Sequence, residues 1–153
     1  MLKLPPPLWA LIYVLACAAI SWGLGWPQLP GWTMPGLPLA LLGIALVGLG
    51  LVPPVSAFIL FRRAGTEIQP TSPTNKTLVT GGPYRFTRNP MYLGLVVITL
   101  GIALWVGAWP MFAAPVALFA TANGVHIPFE EAKMRRQFPE DFDAYVRRVR
   151  RWI

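Results

Sequence analysis

Charge is scarce in this sequence. Only 12% of its 153 residues are charged and 55% are hydrophobic, where a soluble domain carries roughly 25% charged residues. A water-covered globular surface is excluded on that ground, and lipid becomes the natural cover for one membrane domain. Cysteine and histidine are nearly absent, with one of each. A disulfide framework and a cysteine-based metal site are therefore impossible within the chain. One histidine beside a glutamate pair also supplies too few well-spaced ligands for a metal enzyme, so no metal is expected. No GxGxxG follows a strand-like run, which excludes a soluble Rossmann-type fold. Acidic residues number 6 against 13 basic ones, for a net charge of +7. The basic residues gather beside apolar runs, a pattern that fits anionic lipid headgroups and not a nucleic-acid partner.

What the chain does have is apolar runs of membrane length. Spans are expected at residues 8–26, 37–61, 92–109 and 110–129, each near the roughly 20 residues that a bilayer crossing needs. Pro5, Pro6 and Pro7 stiffen the approach to the first span and stop its helix from extending backwards. A cleaved leader is the competing reading there, but the apolar run continues well past Cys17. Pro53 and Pro54 remove backbone donors inside the second span and should kink it, shaping its packing. The third and fourth spans meet at Trp109-Pro110 with almost no loop, which calls for a tight antiparallel hairpin.

Between the second and third spans lies the only long polar loop, residues 62–91. It ends in a stretch that reads LVTGGPYRFTRNPMYLG from Leu78 to Gly94. Gly81, Gly82 and Pro83 force a turn, Arg85 and Arg88 bring charge, and Asn89-Pro90 closes the loop as a helix begins. Donors, glycines that permit close approach, and the rings of Tyr84 and Tyr92 together suit an anionic or nucleotide-like ligand. As plain membrane anchors, the same arginines and tyrosines would follow the positive-inside bias and the aromatic belt.

The fourth span is the one that carries polar groups. At 3.6 residues per turn, Asn123, His126, Glu130 and Gln137 fall on one helical face within about 60 degrees. Polar side chains at membrane depth usually face a bundle interior or a cavity. Beyond them Pro139 restarts a helix over residues 139–151, with acids in its first turn. Phe138, Phe142, Tyr145, Val149 and Trp152 recur along it opposite four arginines. Such a helix lies along the membrane surface, packs on the loop, or does both.

Orientation follows from the basic residues. All of them lie in the N-terminal tail, in the middle loop and the stretch after it, or in the C-terminal region. Four spans with both termini cytoplasmic place every one of them inside. The expected fold is thus an all-α integral membrane protein with four transmembrane helices, a cytosolic loop and a C-terminal amphipathic helix.

Several pieces resemble the isoprenylcysteine carboxyl methyltransferase family and its bacterial relatives, grouped broadly with the phospholipid N-methyltransferases. They are Lys76-Thr77-Leu78-Val79-Thr80, Gly82-Pro83-Tyr84-Arg85, Arg88-Asn89-Pro90-Met91-Tyr92-Leu93-Gly94, and Glu130-Glu131 followed by Phe138-Pro139-Glu140-Asp141-Phe142 and Tyr145. The resemblance runs from about Arg62 to the C-terminus. It implies an integral membrane enzyme, in a bacterial inner membrane, that methylates a lipophilic small molecule or lipid using S-adenosylmethionine. Carried over residue by residue, it implies that Gln69, Lys76, Thr77, Leu78, Val79, Tyr84, Asn89, Pro90, Met91, Tyr92 and Glu130 surround the cofactor. Two positions depart from the pattern. Asn89 stands where the family usually has histidine. His126 stands where the prenylcysteine enzymes have a carboxylate-orienting arginine.

The chemistry of the acceptor stays open at this stage. His126 with Arg88 would hold a carboxylate, which needs no base. For an amine or thiol, His126 is the one side chain with an ordinary pKa near neutrality, hence the candidate base. Asn123 joins His126 on the acceptor side. Phospholipid N-methylation is the near alternative, and a non-catalytic protein that binds lipid or partners through its basic C-terminal helix is the distant one.

Overall fold

A computed structural model describes residues 4–28, 37–66 and 75–153, and these form an all-helical fold with no strand among them. The elements are α1 Pro6–Gly23, α2 Leu37–Ala64, α3 Pro90–Val106, α4 Ala113–Thr121, α5 Ile127–Gln137 and α6 Pro139–Arg148. Tight single turns at Gly82–Arg85 and Trp109–Phe112 precede α3 and α4, and Ala122–His126 is a wide π-type turn joining α4 to α5 without a break. Among the described residues, three helical stretches are long and apolar enough to cross a membrane: Pro6–Gly23, Pro38–Ala64 and Trp109–Gln137. Pro90–Val106 is apolar but shorter.

Several boundaries differ from the sequence expectation. α1 takes Pro6 and Pro7 into its first turn, where the missing N–H groups cost nothing because first-turn donors have no intrahelical partner. α2 runs through Pro53 and Pro54 without interruption and continues to Ala64. α6 stops at Arg148, and Val149 is extended (φ −125°, ψ 131°), so residues 149–151 are not helical.

α2 and α3 form the most extensive helix pair, and glycine permits it. Gly43 lies against Gly101, and Gly50 against Gly94, one pair two turns above the other. A Cβ on Gly94 would sit 2.5 Å from both the Gly50 carbonyl oxygen and Pro54 Cδ, and one on Gly43 would sit 2.6 Å from the Gly101 carbonyl oxygen. Small residues at such crossings let backbones approach where lipid supplies no hydrophobic drive. Pro54 thereby acts in packing, its ring resting over Gly94.

Gly107 takes a left-handed conformation (φ 73°) after α3 and turns the chain into α4. At that end Cys17, Ala103, Ala108, Met111 and Ala114 cluster between α1, α3 and α4. Tyr13 and Thr121 hydroxyls meet at 2.6 Å and tie α1 to α4. Outward side chains such as Leu49 (64% exposed) and Val116 (68% exposed) are apolar, as a lipid-facing surface requires. At the opposite end a second cluster of Ala57, Tyr84, Phe142 and Tyr145 forms under α6. The apolar face of α6 therefore packs on the loop and α2, as one of the placements open to its periodicity requires.

Candidate functional site

The loop before α3 folds inward because of its turn residues. Gly82 adopts φ 56° and lies so close over Leu60 of α2 that a Cβ would approach the leucine Cδ1 to 2.5 Å. Pro83 then opens the turn that carries Tyr84 into the interior. The Tyr84 ring packs 5.8 Å from that of Phe61, and its carbonyl accepts the Tyr145 hydroxyl at 2.7 Å. Burial pushes the titration of both phenols above its ordinary range; the nearby Glu130 charge adds to the shift at Tyr84, while Arg88 offsets part of it at Tyr145. Both stay protonated at neutral pH, so Tyr145 remains a donor.

Where this loop, the start of α3, α5 and α6 converge, they enclose a cavity of about 270 Å³. That is close to the lower end of the ~300–1,000 Å³ usual for small-molecule sites. Its polar wall includes Asn75, Thr77, Arg88, Asn89, Glu130, Glu131 and Lys133, and its aromatic and apolar wall includes Phe61, Leu78, Val79, Tyr84, Met91, Tyr92, Met134, Phe142 and Tyr145. Pro5, Pro6 and Pro7 at the head of α1 complete it.

Two carboxylates in sequence play different parts. Glu130 accepts the Tyr92 hydroxyl at 2.5 Å. Glu131 takes Arg88 Nη2 on Oε1 at 2.9 Å and Arg151 Nη2 on Oε2 at 2.6 Å, with Arg151 Nε on Oε1 at 3.2 Å. Arg88 also donates Nη1 to the Val149 carbonyl at 2.6 Å. Glu131 is thus paired with two arginines, whereas Glu130, also in the cavity wall, takes a tyrosine hydroxyl.

Of the residues the sequence pointed to, Thr77, Leu78, Val79, Tyr84, Arg88, Asn89, Met91, Tyr92 and Glu130 meet in this one cavity. Pro90 is buried behind them at the first turn of α3. Lys76 lies instead on a neighbouring polar groove with Asp141 and Arg148, its backbone N–H donating to Thr66 Oγ1 at 3.0 Å. Gln69 falls outside the described residues. His126 and Asn123 are not part of the wall. The imidazole is buried behind it, 6.3 Å from the Trp9 ring and stacked on Tyr92 at 6.0 Å, and its enclosed Nε2 has no partner among the described residues. Asn123 Oδ1 accepts from Trp152 Nε1 at 3.1 Å and Arg151 Nη1 at 3.4 Å.

The expected polar stripe is accordingly split. His126 and Glu130 do share the Tyr92 side, but Asn123 shares Arg151 with Glu131, and Gln137 Oε1 accepts the Asn75 N–H at 3.1 Å. The π-type turn takes up one more residue than an α turn and rotates everything after it. Sequence reasoning also missed Glu131, Lys133, Met134, Phe142 and Tyr145 as wall residues. Adjacency to Glu130 was the available signal for Glu131, and the repeat of Phe142 and Tyr145 was visible but had two possible partners.

The profile of the family described as phospholipid methyltransferase matches residues 39–141, more than half of the chain. The protein belongs to that family. An uncharacterized protein of Haemophilus influenzae is 30% identical over 63 residues, which are 41% of this chain and the whole of that protein. No solved structure gives a significant match. The family is one of membrane methyltransferases, whose members typically draw the methyl group from S-adenosylmethionine, and the three long apolar helices suit membrane insertion.

Proposed function

We propose that the protein is an S-adenosylmethionine-dependent methyltransferase of the isoprenylcysteine carboxyl methyltransferase type, acting on a lipophilic acceptor in the bilayer. The observation that carries this reading is the Tyr92–Glu130 pair in the wall of a cavity built by the loop, α3, α5 and α6. In this reading the whole chain is one domain, α3 also crosses the membrane and brings the crossings to four, and both termini, the loop and the cavity face the cytoplasm of a bacterial cell.

The wall suits the cofactor in chemistry. Glu130 can accept from ribose hydroxyls or an amino group, Tyr84 and Tyr92 offer ring faces to a cation, and Thr77 to Val79 with Met91 form the rim. Bound there, S-adenosylmethionine supplies an electrophilic methyl group on sulfur. This chain's residues do the rest by orientation and water exclusion. Phe142 and Tyr145 cover the cavity, and Tyr92 fixes the Glu130 carboxylate. Arg88, held by Glu131 and the Val149 carbonyl, shapes the field at the wall. His126 with Asn123 belongs to the acceptor side, the imidazole either taking a proton from an amine or thiol or orienting a carboxylate.

Calorimetry with S-adenosylhomocysteine on the purified protein tests the reading. Saturable binding supports it, and a protein whose heat and melting temperature ignore the compound is instead a lipid- or partner-binding membrane protein. Phospholipid N-methylation is the second reading, in keeping with the description of the matched family. Labelled methyl transfer into extracted phospholipids, absent with prenylated thiols, would select it.

A further inference from the structure

Residues 149–153 contribute nothing to the cavity wall, yet the loop that does is fastened to them. The Arg88 N–H donates to the Arg150 carbonyl at 2.9 Å. Thr87 Oγ1 and Asn89 Nδ2 both donate to the Arg151 carbonyl, at 3.0 and 2.9 Å. From its other side the same residue sends its guanidinium to Glu131 in a two-point contact. Trp152 extends the attachment, with Nε1 on Asn123 and its ring 4.7 Å from that of Phe119. The segment lies beyond residue 141, where the family match ends.

Asn89 shows that the fastening has displaced a competing local bond. It stands at the N-cap of α3, where an asparagine side chain ordinarily accepts from the first-turn N–H groups. Here it makes no cap bond, and its amide reaches the Arg151 carbonyl instead. Its backbone N–H is met by Thr87 Oγ1 at 3.1 Å, so Thr87 and Asn89 form one corner anchored at a single carbonyl. Arg88, Asn89 and Glu131 all line the cavity, and each is joined to this segment.

We propose that Arg151 is a positioning residue. Its carbonyl holds the Thr87–Asn89 corner and its guanidinium holds Glu131, so one residue outside the cavity and beyond the family-matched region braces the spacing of two walls that Arg88–Glu131 and Tyr92–Glu130 join directly. A planar guanidinium making two parallel bonds fixes direction as well as distance, which an ammonium does not. The ligand consequence rests on the methyltransferase reading above; the wall geometry does not.

The test uses the full chain in detergent with Arg151→Gln, Arg151→Lys and Thr87→Val, read by amide hydrogen exchange without ligand and by S-adenosylhomocysteine affinity. Arg151→Gln should speed exchange over residues 87–92 by roughly tenfold while α2 is unchanged. It should also weaken S-adenosylhomocysteine binding by about tenfold, with Arg151→Lys recovering part of the loss. Thr87→Val, at a residue that does not line the cavity, removes the bond to the Arg151 carbonyl together with the one to the Asn89 N–H and should act in the same direction, so it carries the test if Arg151→Gln proves too unstable to purify. Exchange and affinity both within about twofold of wild type would overturn the proposal, as would faster exchange with unchanged affinity, which describes a staple that stabilises without positioning. A wild-type protein that fails to bind S-adenosylhomocysteine defeats the function proposed above, and the exchange result then decides the positioning role by itself.

Discussion

Tyr92, in the first turn of α3, donates its phenolic hydrogen to Glu130 of α5 across 2.5 Å. The bond closes the cavity's back wall and joins two helices that are distant in sequence. Tyr92→Phe leaves the buried carboxylate short of a donor, an omission that costs about 1–3 kcal/mol. The melting temperature in detergent should fall accordingly. Glu130→Gln keeps the shape but exchanges an acceptor oxygen for an amide donor, and S-adenosylhomocysteine should bind it roughly tenfold more weakly, a loss of about 1.4 kcal/mol that is within the worth of one hydrogen bond. Calorimetry reads the second effect directly.

The α2–α3 crossing should be intolerant of a single methyl group. Gly94→Ala drives a Cβ into the Gly50 carbonyl and the Pro54 ring, and overpacking of this kind costs about 1–3 kcal/mol. Gly48→Ala, whose Cβ would meet nothing within 4 Å, is the control. Thermal melts of the two variants should separate clearly.

Glu131 and the exposed Arg135–Asp143 pair make a second contrast. Arg88 and Glu131 side chains are only 11% and 17% exposed, so Glu131→Ala strands a buried guanidinium and should cost about 3 kcal/mol. Arg135 and Asp143 are 53% and 49% exposed at the same 2.9 Å separation. Asp143→Ala should stay within ~0.5 kcal/mol of wild type.

His126 should affect turnover and not cofactor affinity. It is stacked behind Tyr92 and outside the cavity wall, so His126→Ala should leave S-adenosylhomocysteine affinity nearly unchanged. Turnover should fall on the order of 100-fold if the imidazole takes the acceptor's proton. A turnover number equal to wild type would remove it from the mechanism.

Local chemistry was legible in the sequence. Gly82-Pro83 announced a turn, Asn89-Pro90 announced the start of α3, and both features do what those residues do elsewhere. Cross-helix relationships were harder to see. The matched spacing of Gly43–Gly50 and Gly94–Gly101 means nothing until α2 and α3 are known to be antiparallel partners. The π-type turn at Ala122–His126 was invisible because no residue type demands it, and it moved Asn123 from Glu130's side to Glu131's. Arg151 looked like one more cation on an amphipathic helix, because periodicity cannot reveal that the helix ends at Arg148.

The most direct measurement is methyl transfer by the purified full-length chain in lipid nanodiscs, using S-adenosylmethionine labelled in its methyl group and a panel of prenylated thiols, phospholipids and quinone-like acceptors. The account predicts label in a lipophilic acceptor, lost in Glu130→Gln at low cofactor concentration and largely restored at high concentration. Label in none of the acceptors, from a protein that also fails to bind S-adenosylhomocysteine, would contradict it.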